Sequence, residues 1–178
     1  MKTALPLLML ALLFTGLPAQ AGELFEVGDK IPEFDLPYAT RDTINMTGIK
    51  TEDLKGERYI LAFYPADWSP GCTKELCAFR DAHTDLSGLG VEFLAVSGDY
   101  VFSHHAWAKH HNLNFKLLAD HTRKYGKQMG VYLEEYGVMQ RSVFVVGPDE
   151  TFEYIDYDYS VADDTDFNAL HDFLKTVD

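Results

Sequence analysis

Cysteine is nearly missing from this chain. Its 178 residues hold two, Cys72 and Cys77. Two thiols give no network of stabilising bridges, and a spacing of five suits neither a C-x-x-C redox pair nor the paired cysteines of a zinc site. Basic charge is scarce as well. Fifteen lysines and arginines stand against 28 acidic residues, a formal net charge of −13. Such a chain repels nucleic acid and anionic lipid, and no basic cluster offsets this. No internal repeat and no low-complexity linker divide the sequence. The longest apolar run, Ala4 to Phe14 with Pro6 inside it, is too short to span a bilayer, which takes about 20 residues.

That run has a different reading. Lys2 precedes it, and Ala19-Gln20-Ala21 follows with a small-x-small cleavage pattern. Together these predict a secretory signal peptide over residues 1–21, with residues 22–178 as one domain. An exported protein, periplasmic or secreted, with no membrane attachment after cleavage is the expectation. Losing Lys2 leaves the mature chain one charge more acidic. Outside the cytosol, the two cysteines could form an ordinary stabilising disulfide.

Apolar runs at Tyr59–Tyr64, Val91–Val96 and Ser142–Val146 predict strands buried on both faces. Gly147-Pro148-Asp149-Glu150 supplies a turn, and Phe152–Tyr157 an antiparallel partner strand. Helical patterns fall at Pro70 to about His83, at Ser103–His111 behind a capping serine, at Thr122–Met129 and at Asp166–Val177. Gly22–Pro37 reads as an irregular arm. This order predicts an α/β fold, a mixed sheet covered by helices.

The cysteines sit in Phe63-Tyr-Pro-Ala-Asp-Trp-Ser-Pro-Gly-Cys-Thr-Lys-Glu-Leu-Cys77. Pro65 stops the strand. Ser69, held extended by Pro70, suits a helix N-cap, and Pro70 suits the first helical position. Cys72 is then third in the helix. Backbone N–H groups and the helix dipole favour negative charge there. Cysteines so placed can have their pKa lowered from about 8.5 to roughly 3.5–7.5. Gly71 leaves room beside the sulfur. Five helical residues put the Cα atoms of Cys72 and Cys77 about 8.6 Å apart. A disulfide needs them within about 7 Å. A permanent bridge fits an intact helix poorly, and a transient one formed on local unwinding fits better.

These residues resemble the peroxiredoxins. Pro65 to Cys72 matches the pattern Pro-x-x-x-Thr/Ser-x-x-Cys, and Pro70 to Asp81 is similar to the bacterioferritin-comigratory, or Q-type, branch of the alkyl hydroperoxide reductase–thiol-specific antioxidant family. Val27–Phe34, Ala95–Asp99, Phe115–Asp120 and Gln140–Val146 resemble further family segments. The resemblance implies a thioredoxin-like fold and a thiol peroxidase with no metal or organic cofactor. It makes Cys72 the peroxidatic cysteine and Cys77 the resolving one. Pro65 would shield the thiol, Ser69 would hydrogen-bond the substrate, Arg141 would stabilise the thiolate, and Glu75 would orient Arg141. Ser69 stands where threonine is commoner. The implied partners are a peroxide and a thioredoxin-like or other thiol reductant, with the chain a monomer or weak homodimer.

Two other functions compete. A thiol–disulfide oxidoreductase would prefer C-x-x-C, but position 75 is glutamate. A copper-handling module would prefer C-x-x-x-C, one residue shorter than this spacing. His104-His105 and His110-His111 lack the i, i+4 pairing of a histidine metal site, so no metal is assigned. Asp156, Asp158 and Ser160 resemble the start of a calcium loop but lack its glycine and its closing glutamate.

Overall fold

The structure is a computed structural model that describes residues 24–177. The expected signal peptide lies outside the described residues. Among those residues, no helix is long and apolar enough to cross a membrane.

The elements run β1 (Asp35–Ala39), β2 (Ile44–Lys50), a 3-10 turn (Thr51–Leu54), β3 (Arg58–Phe63), α1 (Pro70–Gly88), β4 (Val91–Ser97), α2 (Val101–His111) and β5 (Lys116–Ala119). There follow α3 (Lys124–Gln128), β6 (Tyr132–Leu133), β7 (Val138–Met139), β8 (Ser142–Val146), β9 (Phe152–Asp156) and α4 (Thr165–Leu174). Seven strands form one mixed sheet in the order β2-β1-β5-β4-β3-β8-β9, and β6-β7 is a separate hairpin. β3, β4 and β5 are parallel, whereas β8 and β9 return antiparallel.

Alternation along β3 explains the two-sided core. Ile60 and Ala62 point into one apolar cluster with Leu76, Phe79, Trp107 and Leu170. Tyr59, Leu61 and Phe63 point into the other, with Phe34, Tyr125, Met129 and Phe144. A central strand with helices on one side and the N-terminal arm plus α3 on the other must be apolar where it is covered, and β3 is so from Tyr59 to Phe63, behind a partly buried Arg58 at its start. Phe79 of α1 stacks on Phe93 of β4 with ring centroids 4.3 Å apart, which fastens the helix to the sheet.

Some local features differ from the sequence reading. The supposed irregular arm already contains the start of β1. Pro37 sits at a register shift between Leu36 and Tyr38, where a missing N–H costs little. Gly48 of β2 has φ +87, and a Cβ there would lie 2.6 Å from the Leu36 carbonyl oxygen, so only glycine fits the bulge. Ser103 does not cap α2. The helix starts two residues earlier behind Tyr100, which makes no side-chain cap, and the Ser103 hydroxyl donates instead to Oδ2 of Asp67 at 2.7 Å.

Candidate active site

Phe63 ends β3 opposite Ser142, which begins β8. This antiparallel register brings the loop after β3 beside Arg141, 69 residues away in sequence from Cys72. The loop is fixed by Asp67, whose side chain is 1% exposed. Its Oδ1 accepts from the Tyr64 hydroxyl at 2.8 Å, and its Oδ2 accepts from Ser103. Burial, with the Asp67 charge beside it, pushes the Tyr64 hydroxyl well above its ordinary range, so it stays a neutral donor. His104 is fully buried, with Nδ1 3.0 Å from Asp67 Oδ2 and Nε2 donating to the Leu118 carbonyl at 3.2 Å. Nδ1 thus holds the loop, and Nε2 ties it to β5.

From this platform α1 begins as the sequence predicts. The Ser69 hydroxyl accepts a 3.3 Å bond from the Cys72 amide, and the Ser69 carbonyl accepts from Thr73 at 2.9 Å. Ser69 is therefore the N-cap and Cys72 the third helical residue. The Cys72 sulfur is buried, with no exposed surface on the residue. Arg141 Nη2 donates to it at 3.5 Å. Arg141 Nη1 pairs with Oε2 of Glu75, one helical turn beyond Cys72 on α1. Glu75 has no exposed side-chain surface, and among the described residues its Oε1 has no partner. The positive end of the helix dipole and a guanidinium thus meet at one sulfur.

Gly71 has a reason the sequence did not reveal. A Cβ there would lie 3.3 Å from Arg141 Nη2, so the missing side chain makes room for the guanidinium. Pro65 lies half-buried in the loop between β3 and α1. Cys77 is partly buried farther along α1, and both cysteines are free. Arg80, to which the sequence analysis gave no role, places Nη1 3.5 Å from Cys77 Sγ. The same nitrogen donates to the His111 carbonyl at 2.8 Å. Trp68 has φ +64 and is half exposed, with its ring 5.5 Å from that of His110 and 6.2 Å from that of His111. Of the two histidine pairs, His110 and His111 therefore pack against Trp68.

A cysteine at a helix start on a mixed sheet, capped by serine and met by an arginine from a neighbouring strand, defines a thiol-based redox protein. Residues 27–155 match the model of the AhpC/TSA family. The bcp peroxiredoxin of Coxiella burnetii is 39% identical over 127 residues, 68% of this chain and 81% of that protein. The chloroplastic peroxiredoxin Q of Triticum aestivum is 36% identical over 129 residues, 72% of this chain and 57% of the wheat protein. Among solved structures, Enterococcus faecalis AhpC superposes with a TM-score of 0.76 at 26% identity, covering 84% of this chain and 90% of that one. Peroxidoxin BcpB of Mycobacterium tuberculosis gives 0.74 at 26%, covering 85% and 97%. The chain belongs to the AhpC/TSA family: it is a peroxiredoxin, a thiol peroxidase with the thioredoxin-like fold.

Proposed function

We propose that this protein reduces hydrogen peroxide and organic hydroperoxides through Cys72, and that Cys77 closes the cycle with an intramolecular disulfide. The observation that carries the reading is the buried Cys72 sulfur held at the N-terminus of α1 under Arg141. The Cys72 thiolate attacks one peroxide oxygen. An S–O bond forms, the O–O bond breaks, and the leaving oxygen takes a proton and departs as water or alcohol. Arg141 and the Ser69 hydroxyl offer donors where that oxygen gains charge. The sulfur is now a sulfenic acid. Cys77 then attacks it, forming the S–S bond and releasing water, and an external dithiol reduces the disulfide by exchange. Pro65 shields the sulfur from bulk water in this scheme, and Glu75 aims Arg141.

Burial favours this reading over a disulfide oxidoreductase. A protein disulfide cannot reach a sulfur with no exposed surface, whereas a two-oxygen substrate needs only a small opening of the first turn. We place the work after export, in the periplasm or outside the cell, as a monomer or weak dimer served by a thioredoxin-like or other thiol reductant. Peroxide consumption by variants tests the scheme. Cys72→Ser abolishes it. Cys77→Ser consumes one equivalent and stops at a sulfenic acid that dimedone labels. Turnover that survives Cys72→Ser, or insulin-disulfide reduction faster than peroxide turnover, contradicts it.

A further inference from the structure

The two-cysteine cycle leaves a question at its second step. Attack on the sulfenic acid needs a nucleophilic Cys77 sulfur, yet Cys77 lies inside a helix, five residues beyond Cys72 at its start. The structure supplies another donor. Arg80 is three residues on, on the same helical face. Its Nε and Nη2 bind Oδ1 of Asp81 at 2.8 and 2.7 Å, and its Nη1 donates to the His111 carbonyl at 2.8 Å. With the head fixed by these anchors, Nη1 also reaches Cys77 Sγ at 3.5 Å. The Arg80 side chain is 28% exposed, against 68% for Asp81. Arg80 therefore turns inward, towards the last carbonyl of α2 and the sulfur.

We propose that Arg80 is the positioning residue for disulfide formation, acting on Cys77 as Arg141 acts on Cys72. The inference rests on the two-cysteine reading above. A guanidinium hydrogen-bonded to sulfur stabilises the anion that must form there. The Cys77 thiolate then makes the S–S bond as the S–O bond of the Cys72 sulfenic acid breaks. The departing hydroxide takes up the proton Cys77 gave, so peroxide is the only oxidant required. Anchorage to His111 has a second effect. It holds α1 from residue 80 onward against α2, so the segment that must unwind lies between Cys72 and Arg80.

The test separates this role from mere helix anchoring. In a Cys72→Ser background Cys77 is the only thiol, and its alkylation by iodoacetamide reads the reactivity of that sulfur without peroxide. Arg80→Met slows alkylation about three- to tenfold, the scale of a charge-assisted bond at a partly exposed site. Arg80→Lys, which keeps the charge, recovers part of the rate. In the two-cysteine chain given one equivalent of hydrogen peroxide, Arg80→Met leaves the oxidation of Cys72 within about twofold of the wild-type rate, and slows disulfide formation by the alkylation factor. Unchanged alkylation and unchanged disulfide formation in Arg80→Met overturn the proposal. So does slowing in the lysine variant as large as in the methionine variant, which marks a structural anchor; the lysine variant keeps the test open should the methionine variant fold poorly. A wild-type chain that forms no Cys72–Cys77 disulfide overturns the underlying cycle instead, whatever the alkylation rates.

Discussion

Glu75 has one carboxylate oxygen paired with Arg141 and the other buried without a partner among the described residues. At the scale of single residues this is the most exacting position in the site, because burying a carboxylate is tolerated only through its ion pair. Glu75→Ala leaves the guanidinium without its counter-charge. It should cost about 3 kcal/mol in denaturant unfolding and slow peroxide oxidation of Cys72. Glu75→Gln keeps the volume, so its stability loss should be smaller while oxidation still slows, because Arg141 is no longer held by charge. If stopped-flow oxidation is unaffected by Glu75→Gln, Glu75 does not aim Arg141. Ser69→Ala removes the N-cap of α1 and should cost about 1 kcal/mol. Ser69→Thr, which keeps the hydroxyl, should restore it in the same unfolding measurement.

Among the elements, α1 was the most legible. Ser69, Pro70 and Cys72 carry their positions in local rules for helix starts, and those rules hold in the structure. The strands at Tyr59, Val91 and Ser142 were legible because a doubly covered strand is apolar along most of its length. β1 and β2 were not, because Pro37 and Gly48 look like breakers until the bulge that joins them is seen. The Ser103 cap misled for a related reason: a serine near a helix start serves equally well as a partner for a buried carboxylate, and Asp67 took it. Arg141 and Glu75 came from family resemblance, since nothing local links residues so far apart. Arg80 lies inside the Pro70–Asp81 family segment, but no role could be read for it there, because its partners, Cys77 and the end of α2, meet only in the fold. The end of α2 also carries a pH dependence. His111 titrates below its ordinary 6.5, through burial first, then His110 and Arg80. The folded chain therefore binds fewer protons there than the unfolded chain as pH falls below about 6.5, and stability is lost in that direction. His111→Gln keeps the backbone carbonyl that Arg80 needs and removes the titration. Its Tm should fall less than the wild-type Tm between about pH 7 and pH 5; an identical fall would show that His111 contributes nothing.

In the proposed cycle, the whole molecule divides the labour between a buried sheet and a helix that opens. β3, β4 and β8 are buried on both faces, while Cys72 and Cys77 share one helix too straight to let them bond. Oxidation should therefore be a local event. In amide hydrogen exchange, residues 72–79 should lose protection in the disulfide form, while the central strands stay protected. Uniform loss across the sheet would mean that the bridge forms only through global unfolding. The central claim is that one peroxide passes through Cys72 and then links it to Cys77 within a single chain. Time-resolved intact mass spectrometry, after one equivalent of hydrogen peroxide, tests this most directly. The account predicts a transient species one oxygen heavier than the reduced chain, decaying to one two hydrogens lighter with Cys72 and Cys77 joined. A reduced chain whose mass never changes, or a heavier species that persists beside a free Cys77, would contradict it.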